Sequence, residues 1–109
     1  MLYEYNNKNV KFGIAFSGDI SGGGWANDLE KIIKSNIQPD KFERTDITIT
    51  WDYSEIDFSM EKNNIKFKLE IDKVDTISLI LLSQDNDINK QKLRDWATII
   101  ATEIEKLKK

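Results

Sequence analysis

The chain has 109 residues and a formal net charge of -3, and it contains neither cysteine nor histidine. This length favours a single domain spanning residues 1–109. Without cysteine or histidine, disulfides, thiolate or imidazole metal sites and the usual nucleophile–base pairs are absent, so we expect no catalytic residues, no metal ligands and no cofactor. Cysteine-free usage is typical of a reducing compartment and no signal peptide or membrane span is evident, which predicts a cytoplasmic protein.

The N-terminal part predicts a β-hairpin and then a helix. Residues 2–5 and 10–16 flank an Asn-rich turn, and the second of these segments alternates apolar with small or polar side chains. Apolar residues then recur at helical spacing from Trp25 to Ile37, and Pro39 is expected to end that helix.

The remaining chain predicts a meander of strands closed by a second helix. Residues 47–53, 56–60 and 65–71 alternate apolar with polar side chains, whereas residues 76–82 are apolar on both faces and predict a central strand. Asp87 is the expected N-cap of the last helix. The apolar stripe of that helix contains Leu93, Trp96, Ala97, Ile100, Ile104 and Leu107.

The predicted fold is α+β, in the order ββαββββα. One-sided strands and two amphipathic helices indicate a two-layer sandwich, a largely antiparallel sheet with both helices on one face. A sheet that curls around the C-terminal helix is an open variant. In either case the second face of the sheet is free for solvent or for a partner.

Charge is concentrated in the middle of the chain. Residues 40–61 carry seven acidic side chains, among them Asp46 and Glu61, against two basic ones. This excess disfavours a nucleic-acid partner, because such binding depends on clustered lysine and arginine, and it favours a basic protein partner. The alternative interpretation is that mixed surface charge only keeps the domain in solution.

One group of carboxylates depends on strand register. With two-residue turns at Ser54-Glu55 and Asn63-Asn64, Asp57 faces both Asp52 and Glu70, while Phe58 faces Trp51 and Leu69. Three aligned carboxylates repel one another, so this row, with Glu55 beside it, predicts a site for something cationic. The alternatives are that Lys66 and Lys68 neutralise the row or that a bulge shifts the register.

Two further motifs match known binding loops only in part. The glycine-rich segment 18–24 lacks the spacing of a nucleotide-binding loop and predicts a mobile binding loop that presents Ile20 and Trp25. Asp85-Asn86-Asp87 begins like a calcium loop, but Lys90 stands where that loop needs glycine and Trp96 where it needs glutamate. Helix capping is the better interpretation of these polar residues.

The sequence thus predicts a macromolecular binding protein rather than an enzyme. High lysine, isoleucine and asparagine usage suggests an AT-rich bacterial or phage gene, and small acidic domains of this kind have the general profile of toxin-neutralising immunity proteins. The leading hypothesis is an inhibitor that covers a basic surface such as a nuclease toxin active site. The alternatives are a structural or chaperone-like adaptor, dimeric in one version, and a metal enzyme based on Asp52, Asp57 and Glu70.

Overall fold

The computed structural model describes residues 2–6, 11–16, 25–50, 53–72 and 77–107. Six strands and two helices follow one another in these ranges. In chain order they are β1 (Leu2–Asn6), β2 (Phe12–Phe16), α1 (Trp25–Ile32) with a π-helical turn (Ile33–Ile37), β3 (Lys41–Thr50), β4 (Tyr53–Lys62), β5 (Ile65–Asp72), β6 (Ile77–Leu81) and α2 (Asp87–Leu107).

The six strands form one antiparallel sheet in the order β1-β2-β6-β5-β4-β3. The turn between β4 and β5 is made by Asn63 and Asn64, whose φ angles of 53° and 66° lie in the left-handed region that asparagine tolerates. This confirms the predicted Asn63-Asn64 hairpin. The N-terminal hairpin joins the meander where β2 pairs with β6, which makes β6 a central strand whose residues are all buried.

Both helices cover the same face of the sheet, so the predicted two-layer α+β architecture is confirmed. Alternate residues of β2, β4, β5 and β6 form one core with Leu29 and Ile33, and Phe42 of β3 packs against it. From α2 this core contains Leu93, Trp96, Ala97, Ile100 and Ile104. Within it the Trp96 ring stacks on Phe67, with centroids 4.5 Å apart and 23° between the ring planes. A stacked aromatic pair adds to the energy of burial, so Trp96 fixes α2 against β5.

The first helix ends as predicted before Pro39, but its last turn is wider than an α-helix. The N–H of Gln38 donates to the carbonyl of Ile33 at 3.0 Å, and Gln38 adopts a φ of 55°. The π-helical turn places both Ile33 and Ile37 in the core. The left-handed Gln38, followed by Pro39, ends this helix, and β3 begins at Lys41.

Three local predictions were wrong, although α2 begins at Asp87 as expected. Strand β3 begins at Lys41 rather than Ile47 and reaches Thr50, and Ser54-Glu55 is not a turn because both residues belong to β4. The N-cap of α2 is Asn86, whose Oδ1 accepts from the N–H of Asn89 at 2.8 Å, rather than Asp87. Capping by this polar segment is confirmed, and Asp85 forms an ion pair with Lys90 at 3.2 Å.

No helix among the described residues is both long enough and apolar enough to cross a membrane. The predicted mobile loop of residues 18–24, with Ile20, lies outside the described residues, and the side chain of Trp25 does so as well.

Candidate functional site: a carboxylate cluster on the outer sheet face

The outer face is the face of the sheet that points away from both helices. On β3, β4 and β5 it displays the residues that alternate with the core positions, and these strands pair Thr45 with Asp57 and Asp57 with Glu70. The charged outer-face side chains that the structure describes in this area are Glu43, Glu55, Asp57, Glu61, Glu70, Lys41, Lys66 and Lys68. The outer face is therefore mixed in charge with an acidic excess.

The acidic excess is concentrated in a carboxylate cluster formed by Glu55, Asp57 and Glu70. One carboxylate oxygen from each residue lies within 4.8 Å of the others, and all three side chains are half-buried. Glu55 and Asp57 share the outer side of β4 because they are two residues apart, and antiparallel pairing places Glu70 of β5 directly opposite Asp57. Strand periodicity and register thus force three negative groups together.

Lys68 is the counterion of this cluster. Its Nζ lies 2.6 Å from a carboxylate oxygen of Glu70, the next outer-face residue of β5. Burial by itself lowers the pKa of Lys68, but the hydrogen bond and charge of Glu70, with the charges of Asp57 and Glu55, raise that pKa overall. The ammonium group of Lys68 therefore acts on all three carboxylates, and it forms its ion pair with Glu70.

The other two carboxyl groups of the cluster, Glu55 and Asp57, both have raised pKa values. Burial raises the pKa of Glu55, and the negative charges of Asp57 and Glu70 raise it further. Burial also raises the pKa of Asp57, where attraction to Lys68 opposes the repulsion from Glu70. Glu55 and Asp57 therefore both favour their protonated forms more than an isolated carboxyl group does.

Asp57 also retains an unsatisfied atom. Its Oδ1 is buried and has no hydrogen-bond partner. A buried acceptor without a donor costs free energy, and more when it carries charge. The free protein thus holds a polar atom in the cluster that a donor from outside would satisfy.

The structure confirms part of the predicted carboxylate row and corrects the rest. The expected pairs of Asp57 with Glu70 and of Phe58 with Leu69 are present. Asp57 does not face Asp52, because its partner on β3 is Thr45, and Phe58 faces Arg44 instead of Trp51. Asp52 and Trp51 themselves lie outside the described residues.

Two other predicted contact residues lie away from the cluster. Glu61 is at the opposite end of β4, where it pairs with Lys66 and lies 3.7 Å from Lys41, beside a cavity of about 280 Å³. Asp46 is on the helix side of β3, where the Nε of Arg44 donates to its Oδ1 at 2.9 Å. The acidic segment predicted as one surface is therefore divided between two faces of the sheet.

Carboxylate oxygens at these separations are the ligand type that calcium and magnesium prefer. The ammonium of Lys68 already supplies the positive charge next to Glu70, however, so a metal ion would have to compete with it. Neither the cavity of about 280 Å³ beside Glu61 nor one of about 370 Å³ along α2 is lined by Glu55, Asp57 or Glu70. The arrangement favours docking of a cationic side chain over enclosure of an ion.

The sequence alone predicts Asp52 as the third carboxylate of the row and offers Lys68 only as an alternative that neutralises it. The two-residue spacing of Glu55 and Asp57 was the available signal for the actual cluster. The expected turn at Ser54-Glu55 places Glu55 outside β4 and so obscures this spacing, whereas both residues belong to the strand.

Comparisons with protein-family models, with characterised proteins and with solved structures find no match for this chain.

Proposed function

We propose that this chain is a cytoplasmic binding protein that docks the acidic part of its outer sheet face on a basic protein surface. The class that fits best is a small inhibitor or immunity protein covering a cationic active site, such as that of a nuclease toxin. The absence of histidine and cysteine supports binding over catalysis. The acidic excess of the outer face supports a basic partner over a nucleic acid.

The observation that carries this proposal is the charge balance of the carboxylate cluster. Three carboxylates lie together, the nearest ion pair of Lys68 is with Glu70, and Asp57 keeps a buried acceptor without a donor. Like charges that face each other in a sheet cost a few tenths to about 1 kcal/mol each. A guanidinium or ammonium group from a partner would offset this repulsion and satisfy Asp57.

The alternative of a carboxylate-dependent metal enzyme receives less support. A catalytic carboxylate site needs a concave, enclosed setting with groups that orient the ligands, whereas this cluster lies on a sheet surface and its charge is already partly balanced by Lys68.

A calorimetric titration with an arginine-rich peptide tests the local part of the proposal. The double variant Glu55→Gln/Asp57→Asn should bind the peptide more weakly than the wild type, and the difference should grow at low ionic strength. A matched control, Asp95→Asn/Glu103→Gln on α2, removes the same formal charge from the helix side. Equal losses in both double variants would mean that only net charge matters and would contradict a site on the outer face.

The immunity role is tested by co-expression with the product of the adjacent gene. If that product is a toxin domain, the wild type should protect the host cells and Glu55→Gln/Asp57→Asn should protect them less, whereas Asp95→Asn/Glu103→Gln should protect them fully. Equal protection by all three proteins would exclude the cluster as the toxin contact.

A further inference from the structure

Strand β3 forms one edge of the sheet, and its length makes this edge unusual. It runs for ten residues, from Lys41 to Thr50, and within the described residues it pairs with β4 alone. The opposite edge strand, β1, has five residues. An edge strand presents a row of unpaired N–H and C=O groups, so a long one invites pairing with another strand.

The side chains of β3 restrict which strand can pair with it. Arg44 and Asp46 lie on the helix side, where the guanidinium of Arg44 also contacts Asn27 at 2.8 Å and Glu30 at 3.2 Å on α1. Charges that point inward on an edge strand discourage indiscriminate pairing. A β-bulge between Thr48 and Thr50 further limits regular pairing to the part of β3 that precedes it.

A second copy of this chain satisfies these restrictions in one register. When two β3 strands pair antiparallel about a twofold axis at Thr45, each Arg44 lies opposite the Asp46 of the other copy, and Glu43 lies opposite Ile47. Moving the axis by one residue places Arg44 opposite Arg44, or Asp46 opposite Asp46. Among these neighbouring registers, only the one about Thr45 brings opposite charges of β3 together.

We propose that two copies of this chain associate through the β3 edges, centred on Thr45, to form one continuous twelve-stranded sheet, twice the six strands of one copy. This association is independent of the carboxylate cluster and uses backbone hydrogen bonds for affinity and the two Arg44–Asp46 pairs for register. Asp46 has a side chain 61% exposed in the single chain, so its carboxylate can accept from the Arg44 of the second copy as well as from its own.

A cysteine experiment tests both the interface and its register, because the natural chain has no cysteine. Residues opposite each other on the axis have Cα atoms about 4.5 to 5.5 Å apart, within disulfide range. Thr45→Cys should therefore form a covalent dimer under mild oxidation. Thr98→Cys, exposed on α2, should not, and Glu43→Cys should cross-link efficiently only when mixed with Ile47→Cys.

A charge-reversal experiment tests the pairing in solution. Light scattering should show a dimer for the wild type, and Asp46→Lys should weaken dimer affinity about tenfold or more, because two attractive pairs become repulsive. Mixing Asp46→Lys with Arg44→Glu should restore a mixed dimer. A wild type that stays monomeric at submillimolar concentration, or a Thr45→Cys chain that cross-links no faster than Thr98→Cys, would overturn the proposal even if Arg44→Glu fails to fold.

Discussion

Replacing Asp57 with asparagine removes one charge from the carboxylate cluster and nearly preserves the shape of the side chain. Burial and the nearby Glu70 raise the pKa of Asp57 despite its attraction to Lys68, so the fold disfavours the ionised form. A neutral isostere avoids this cost. We therefore expect Asp57→Asn to leave the free energy of unfolding unchanged at neutral pH, or to raise it by up to about 1 kcal/mol, the range for like charges opposite each other in a sheet.

The same reasoning gives the sign of the pH dependence. The pKa values of Glu55 and Asp57 are both raised, so the folded chain retains protons that the unfolded chain has already lost. The contribution of these groups to stability is complete below the unfolded carboxyl pKa and is lost as pH rises through the folded values. Wild type should therefore lose stability relative to Asp57→Asn as the medium changes from mildly acidic to neutral.

Urea unfolding of both proteins across this pH range measures the effect, and Asp95→Asn on the exposed side of α2 is the control for the same chemical change. Carbon-13 NMR titration of the carboxyl groups would report the raised pKa values directly. A loss of more than about 1 kcal/mol in Asp57→Asn at neutral pH would mean that the carboxylate belongs to a satisfied structural network and would refute the repulsion argument.

Three substitutions test the packing that supports the site. Trp96→Ala removes the ring stacked on Phe67 and should cost about 3 to 5 kcal/mol in chemical denaturation, whereas an unchanged midpoint would refute that packing. Gly13→Ala would place a methyl group 2.8 Å from the ring of Tyr5 and should cost about 1 kcal/mol or more, a loss that Tyr5→Ser in the same chain should reduce. Asn86→Ala removes the N-cap of α2 and should lower stability by about 1 kcal/mol, measured by thermal unfolding, with no change in the peptide affinity of the outer face.

The parts of the fold that were predictable are those in which one local rule decides the outcome. Alternating side chains identify β4 and β5, and the Asn63-Asn64 turn sets their register, so the contact of Asp57 with Glu70 follows from the sequence alone. Strand order was not predictable, because the pairing of β2 with β6 is a long-range choice that no local pattern encodes.

The first half of β3 was missed for an identifiable physical reason. Its inward positions after Phe42 hold Arg44 and Asp46, where the alternation rule requires apolar residues. The edge of the sheet tolerates them because Arg44 bonds with Asp46 and with Glu30 of α1, and its guanidinium lies over the Phe58 ring at 5.9 Å. Charged residues at inward edge positions therefore look like a loop in the sequence.

The error in β3 also explains the error in the carboxylate cluster. The sequence prediction starts β3 at Ile47 and therefore places the turn between β3 and β4 at Ser54-Glu55. This turn excludes Glu55 from β4 and puts Asp52 opposite Asp57. The predicted number of carboxylates was correct because both candidate positions, Asp52 and Glu55, are acidic, but the predicted geometry was wrong. A row of like charges thus pointed to the correct region of the chain, while the identity of its third member depended on a long-range pairing.

The two proposed surfaces lie side by side and are separable by experiment. Thr45 on the β3 edge is directly opposite Asp57, so dimerisation would place the carboxylate clusters of two copies on one continuous outer face. Three strand spacings separate Asp57 from its copy, about 14 Å at about 4.8 Å per strand. This exceeds the screening length of about 8 Å at physiological salt, so repulsion between the clusters opposes dimerisation little. Substitutions at Asp57 should therefore change partner binding without changing the dimer, and substitutions at Asp46 should do the reverse.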